Sequence, residues 1–468
     1  MLGLPVALLV LLAQAPEGLE ARSEEPRLRE SLSLEDAWKE GLRSAFSLAS
    51  AQDAVRAAEI GVLQARSRFF PKLTPSYSRG PNERGFTLAA AQEIPLLGGS
   101  LTAERSSRTY EGVATIGQKS VENTLTWSQP LLKGAGPNAS LFDLRNAERL
   151  KTGQERALLL ARQRYIVEVA RAFYQAQAQR ELLAVARQSA TRNAALRQAS
   201  EARLEVGLSN KLDVYRAQLA EAQAAQSAVQ SETALQSALE TFRYLLGRSP
   251  HDAVEPQGSE FARPVEDDLP RIETAVEEAL QNRLDLLEVR DQIGDARRSS
   301  SLSKQNLLPD VALNLRFTDT RWTGLNGPFD PRDKRWESFL SASLPLERAA
   351  DFARLQLSSL EVRARERALV QKTYEVEAEV RSTHRELQSL KRSIETQTAA
   401  VEIAEQQRKL ADLRYQRGLA SNFDVVDAEG SLLAARTSLA QLLAAYQVAR
   451  LDLDRVTGRL KVDFGARP

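Results

Sequence analysis

Glu205-Val206-Gly207-Leu208-Ser209-Asn210-Lys211-Leu212-Asp213-Val214 has a counterpart later in the chain, Gln416-Arg417-Gly418-Leu419-Ala420-Ser421-Asn422-Phe423-Asp424-Val425, at an offset of 211 residues. In each copy a glycine closes a long proline-free stretch, and a polar residue with an acid three positions later opens the next. Glycine supplies the positive φ that a helix end often needs. Asn210 with Asp213, and Ser421 with Asp424, have the side-chain types of a helix N-cap followed by an acid at N3. The stretch therefore reads as a descending helix, a reversal and an ascending helix, present twice. Leu246-Gly247 and Thr457-Gly458 keep the same offset, which becomes 238 for Phe70-Pro71 against Leu308-Pro309 and 242 for Glu35-Asp36-Ala37 against Glu277-Glu278-Ala279. An internal repeat of this length decides the architecture. Repeat one spans 34–247 and repeat two 271–458, with an extension over 16–33, a linker rich in Pro, Gly, Ser and acid over 248–270, and a tail over 459–468.

Within each repeat the order is helix, strands, very long helix, turn, helix. No proline occurs between Pro137 and Pro250 or between Pro345 and Pro468, so two stretches lack the main helix breaker. A continuous helix over 141–205 would be roughly 100 Å long, far beyond the common globular helix. Shorter helices are predicted over 34–70, 209–246, 271–308 and 421–457, and two of these stacked end to end match one long helix. Apolar residues at helical spacing, such as Leu235, Leu239, Phe242 and Leu246, supply the contact face. A free-standing coiled-coil rod accounts for this part equally well.

Strands are predicted over about 72–131 and 309–345. Val311, Leu313, Leu315 and Phe317 alternate with Ala312, Asn314, Arg316 and Thr318; Val121, Leu125 and Trp127 alternate with polar neighbours, as do Trp336, Leu340, Ala342 and Leu344. Leu73 and Tyr77 give a weaker fourth run. Trp127, Trp322 and Trp336 lie in or between these runs, where a membrane barrel carries interfacial aromatics. A soluble two-sheet domain would alternate in the same way. Four strands cannot close a barrel, and an open edge in lipid leaves backbone groups unpaired, so membrane strands would require oligomerisation. The Pro71–Pro130 interval exceeds Pro309–Pro345 by 23 residues. That excess reads either as a longer surface hairpin or as additional strands.

Among 468 residues, 63 Lys and Arg nearly cancel 62 Asp and Glu, and the charges are interspersed, so no basic field points to nucleic acid. The chain has no cysteine, which excludes disulfides, thiolate metal sites and an N-terminal lipid-modified cysteine. Residues 1–15 read as a secretory signal, apolar from Leu2 to Leu12 and ending in Ala13-Gln14-Ala15, although no basic residue precedes the apolar run. No later segment is apolar for long enough to span a bilayer as a helix. His251 and His384 have no metal-ligand spacing and no phosphate loop is present, so neither a cofactor nor catalysis is expected.

Trp127-Ser128-Gln129-Pro130-Leu131-Leu132-Lys133-Gly134, Val206-Gly207-Leu208 to Asp213, and Arg417-Gly418-Leu419 to Asp424, in this order and with the twofold repeat, resemble the outer membrane efflux protein family of TolC-like exit ducts. The resemblance implies a mainly α-helical protein with a small membrane β part: a homotrimer with a twelve-stranded barrel in the outer membrane and a twelve-helix tunnel through the periplasm. It implies passive export, a periplasmic adaptor docking on the tips at Val206, Gly207, Leu208, Arg417, Gly418 and Leu419, and an RND, ABC or MFS transporter in the inner membrane. It also implies that Asp424 and Asp427 form carboxylate rings at a closed aperture and that Asp213 and Tyr415 help latch it. Arg216 occupies in repeat one the position of Asp427. Ala420 stands where the family's type member has a basic latch residue, which puts the mode of closure in doubt. A periplasmic helical scaffold with a small soluble β-domain is the alternative.

Overall fold

The computed structural model describes residues 30–111, 117–207, 209–258, 269–324 and 332–460. The expected signal segment and Leu208 lie outside the described residues.

Repeat one consists of β1 (Glu30–Leu32), α1 (Leu34–Ser44), α2 (Phe46–Ser67), β2 (Lys72–Arg79), β3 (Glu83–Glu93), β4 (Ser100–Tyr110), β5 (Lys119–Pro130), α3 (Pro137–Ser140), α4 (Phe142–Glu205) and α5 (Lys211–Leu245). After β6 (Val254–Pro256), repeat two follows with α6 (Ile272–Asn282), α7 (Leu284–Gln305), β7 (Asp310–Thr323), β8 (Arg332–Ser343), α8 (Ala349–Gln416) and α9 (Asn422–Thr457). The long helices α4 and α8 have 64 and 68 residues. Each carries an upper and a lower partner, as the matched lengths predict. Near the sheet the contacts run α2 to α4 to α7 to α8; towards the turns they run α5 to α4 to α9 to α8. Four helices therefore lie side by side at every height. No helix among the described residues is long and apolar enough to cross a membrane.

The predicted continuous helices over 34–70 and 271–308 are each broken. Ala45 (φ −67°, ψ 127°) and Arg283 (φ −68°, ψ 123°) are extended, and the short helix before each break packs across the long helices at mid-height. There Ala37 is fully buried and the Trp38 indole N–H donates to the Ile166 carbonyl at 3.0 Å, while Ala275 and Ala279 pack on Val376, Val380 and Val456. Gly247 and Gly458, at φ 73° and 77°, end α5 and α9 against these breaks: a Cβ at Gly247 would stand 2.5 Å from the Ser44 carbonyl oxygen, and one at Gly458 3.0 Å from Asn282 Cβ. The linker is not wholly irregular. Val254–Pro256 pairs in parallel with Glu30–Leu32, tying the extension to mid-chain and covering Leu32 and Val254.

The main sheet has six strands in the order β2-β3-β4-β5-β7-β8, antiparallel throughout. Two strands per repeat were expected. Repeat one contributes four, so its extra residues form strands rather than an excursion from the sheet. The register is unbroken across all six, and one row reads Leu73, Ala90, Ala103, Leu125, Phe317, Trp336. The adjacent row, which faces the other way, reads Lys72, Ala91, Thr102, Thr126, Arg316, Glu337. Over these rows one face is apolar and the other polar, whereas farther from the helices the first face turns mixed, with a row of Pro75, Leu88, Arg105, Asn123, Asp319 and Lys334. Trp127 and Trp336 share the face of Leu125, the Trp336 ring lying tilted against Phe317 at 4.8 Å between centroids. Trp322 departs from the expected aromatic girdle. Its register places it on the polar face, where it stacks on Tyr110 at 6.0 Å.

The helical tip as candidate functional site

Each long helix ends on a left-handed glycine, Gly207 at φ 74° and Gly418 at φ 73°. In repeat two the Leu419 N–H donates to the Arg414 carbonyl at 2.8 Å and the Gly418 N–H to Tyr415 at 3.0 Å, which closes the last turn of α8. Ser421 then caps α9 in a reciprocal box: its N–H and hydroxyl donate to Asp424 Oδ2 at 2.7 and 2.9 Å, and the Asp424 N–H donates back to Ser421 Oγ. The Ser421 backbone N–H, then its hydroxyl, hold the Asp424 carboxyl below its ordinary value. In repeat one Asn210 accepts from the Asp213 N–H at 2.9 Å, and the Ser209 hydroxyl donates to the Asp213 carboxylate at 3.2 Å. Both aspartates start an ascending helix, as the capping pattern predicts. Asp427 is exposed one turn beyond Asp424, and Arg216 lies 3.9 Å from Asp213.

The two coils, α4 with α5 and α8 with α9, are joined directly above these turns. Tyr415 is buried, and its hydroxyl lies 3.0 Å from Ser200 Oγ on α4. The Arg203 guanidinium lies over the Tyr415 ring at 4.1 Å and donates to the Tyr415 carbonyl at 2.7 Å. Asn422, also buried, donates to Ser200 Oγ at 3.1 Å and to the Asp213 carbonyl at 2.8 Å. Farther up, Arg192 pairs with the mostly buried Glu429 at 3.2 Å. Arg216 also reaches across the join, 5.8 Å from the Phe423 ring. Tyr415 therefore links the coils, whereas Asp213 contributes its backbone carbonyl and keeps its carboxylate for its own turn. Ala420 packs against the cluster of Leu196, Tyr415 and Val425, and the basic groups at the join are Arg203, Arg192 and Arg216 instead.

Sequence reasoning missed Ser200, Arg203 and Asn422. A signal was present in the repeat for all but Arg203, which Arg414 matches: at the offset of 211, Tyr415 corresponds to Leu204, Asn422 to Lys211 and Ala411 to Ser200, so these three residues of the join break the repeat's symmetry. At the opposite corner of the turns, Val206 and Leu419 are 68% and 74% exposed. Among the described residues no three His, Cys, Asp or Glu side chains are grouped to hold a metal ion, and His384 lies 3.0 Å from the Pro270 carbonyl.

The family model for outer membrane efflux proteins matches residues 82–248 and 275–459, most of both repeats. The chain belongs to the outer membrane efflux protein family. Its fold is that of several solved channels. With CusC it shares 19% identity and a TM-score of 0.69 over 94% of this chain and 95% of that one. With VceC of Vibrio cholerae the values are 19% and 0.69 over 91% and 96%, and with the Campylobacter jejuni channel CmeC 13% and 0.71 over 92% and 86%. No curated protein sequence matches it. This efflux protein is a TolC-like channel, the exit duct of an efflux system, in a family that forms channels and is not an enzyme class. The scaffold alternative finds no support in these relatives.

Proposed function

We propose that three copies of this efflux protein close head to tail into one duct that stands in the outer membrane and reaches through the periplasm. The observation that carries this reading is the pair of unpartnered flanks. On one flank α2 and α5 expose Phe46, Ile60, Leu63, Tyr215 and Leu219; on the other α8 exposes Leu357, Leu360, Tyr374, Ile403 and Leu410. The free sheet edges fall on the same two flanks, β2 after α2 and β8 before α8. Apolar surface on this scale marks an interaction site, and joining two different flanks by a rotation that closes gives a ring. Four helices per copy then make a tunnel of twelve, and pairing of β2 with the next copy's β8 removes the sheet edges that lipid does not tolerate.

Export through this duct is passive. A periplasmic adaptor meets the tips at Val206-Gly207-Leu208 and Arg417-Gly418-Leu419, and an inner-membrane transporter of the RND, ABC or MFS type supplies the energy. Asp424 and Asp427, both exposed on the ascending helix, ring the aperture. Tyr415, Ser200, Arg203 and Asn422 hold the coils together in the closed state, with Asp213 and Arg216 beside them. Detergent-purified protein should run as a trimer and give discrete, cation-selective steps in a planar bilayer. A soluble, non-conducting monomer would reject the duct. Alanine at both Asp424 and Asp427 should weaken block by divalent cations, and unchanged block would reject the ring.

A further inference from the structure

We infer that the membrane barrel of this protein has eighteen strands, because the four strands of repeat one all serve as barrel staves and every copy contributes six. The inference rests on the trimeric reading above and extends it. Three copies of a four-stranded sheet, as the family resemblance implied, would close with twelve.

Two observations carry it, and a third is consistent with it. The first is continuity: β3 and β4 are not an appendage but occupy the second and third places of the sheet, with β2 outside them and β5 inside. Removing them from the membrane would detach β2, and with it one of the two edges a neighbouring copy needs. The second is amphipathicity. Leu88, Ala90, Leu101 and Ala103 of β3 and β4 share the face of Leu73, Leu125, Phe317 and Trp336, and where that face turns polar, at Asn123 and Asp319, β4 turns with it at Arg105; Ala89, Thr102, Glu104 and Ser106 share the face of Thr124, Thr126, Arg316 and Thr318. The short turn between β3 and β4 carries Leu96 and Leu97, both exposed, at the helix-side rim, level with the exposed Leu131 and Leu344. A hairpin lying in water would have no reason to repeat the two-faced pattern of its neighbours or to expose leucines at its turn. The third is parity. β2 runs away from the helices and β8 returns towards them, so an even number of strands per copy lets β8 meet the next copy's β2 antiparallel, in keeping with every other pair in the sheet.

The dimensions agree. Twelve helices at 8–10 Å spacing make a ring roughly 31–38 Å across at the helix axes. Strands about 4.8 Å apart and tilted 35–45° each take about 6–7 Å of circumference, so eighteen give roughly 34–39 Å and twelve only about 22–26 Å. An eighteen-stranded barrel continues the helical tunnel without narrowing. Size selection then belongs to the closed tip and to the extracellular loops, and the barrel wall itself passes whatever the tunnel admits.

Electron cryo-microscopy of the full-length trimer in lipid nanodiscs counts the strands in cross-section: eighteen supports the inference, and a trimer with twelve overturns it while leaving the duct intact. A particle that is no trimer would reject the duct itself. Thiol accessibility gives a second reading, since the chain has no cysteine of its own. In trimers reconstituted into phosphatidylcholine vesicles, Ala90→Cys and Ala103→Cys, on the lipid face, should react with a charged maleimide about tenfold or more slowly than Ala89→Cys and Thr102→Cys, on the lumen face. Equal labelling of all four would mean that β3 and β4 lie in water, and would overturn the inference.

Discussion

The two repeats agree in their middle and differ at three places, and the differences are where function and stability concentrate. Both place a helix of more than 60 residues against a lower partner, reverse it on a positive-φ glycine and end the partner on another. At the membrane end repeat one has four strands and repeat two has two. At the break in the upper helix repeat one has Ala45 and repeat two Arg283. At the tip repeat two supplies Tyr415 and Asn422, and repeat one the Ser200 that receives both. A duplicated unit can build a symmetric wall, but a join between unlike coils and a six-stranded sheet need groups that one copy has and the other lacks.

The break in the upper helix offers the largest test. Arg283, nearly buried, pairs with Asp285 at 2.7 Å and with Glu379 at 2.5 Å, and Arg455 reaches Glu379 at 3.0 Å. Arg283→Ala leaves Asp285 with Lys372 alone and Glu379 with Arg455 alone; the lost charged hydrogen bonds should destabilise repeat two by about 2 kcal/mol, seen as a lower Tm, and Ala45→Ser at the matching position of repeat one should cost far less. The same cluster sets an acid limit. Burial alone would raise the Asp285 carboxyl, but hydrogen bonds and charge from Arg283, then Lys372, outweigh it and hold it at about 2. Since that value lies below the unfolded one of about 4, the stabilisation is complete above pH ~4 and disappears as the pH falls through the folded value. Thermal unfolding followed from pH 5 downwards should show this loss, and Arg283→Ala should flatten it.

Next in size are the turns. Gly207→Ala and Gly418→Ala each force an alanine into the left-handed region at a cost of about 1–2 kcal/mol, with no steric clash added because nothing stands within 4 Å of either Cβ position. Both should lower Tm by similar amounts, and only a difference in adaptor affinity would separate the tips. The smallest stability change, and the sharpest functional contrast, is at the join between coils. Tyr415→Phe removes one hydrogen bond worth about 1 kcal/mol and should raise the resting single-channel conductance. Leu204→Phe, at the equivalent position of repeat one, should leave it unchanged.

Much of this was legible in the sequence because repetition is a strong signal. The offset of 211 located both turns, both caps and the closing glycines, and the missing prolines marked α4 and α8. The helix breaks at Ala45 and Arg283 were not legible, since neither residue is a helix breaker and the extended backbone there is set by packing on the long helices. β3 and β4 were hidden because Ala89-Ala90-Ala91 blurs the alternation and Ser106-Ser107 gives it little contrast. Trp322 was read as an interfacial aromatic from its place beside the strand runs, and only the register decides a face. At the tip the capping roles of Asp213 and Asp424 followed from spacing, but the union of Tyr415 with Ser200 spans distant chain positions, and no local pattern reports it.

The small parallel pair of Glu30–Leu32 with Val254–Pro256 has a consequence in time rather than in space. A polypeptide that emerges N-terminus first delivers Leu32, Leu34 and Trp38 early; Ile166, Phe173 and Phe242 reach them only after the four strands of repeat one, and Val254 only after α5. Until then these apolar residues wait in solution beside strands destined for lipid. The order of emergence thus puts the linker strand last, and its pairing with Glu30–Leu32 is the stitch that completes the cover of the first repeat.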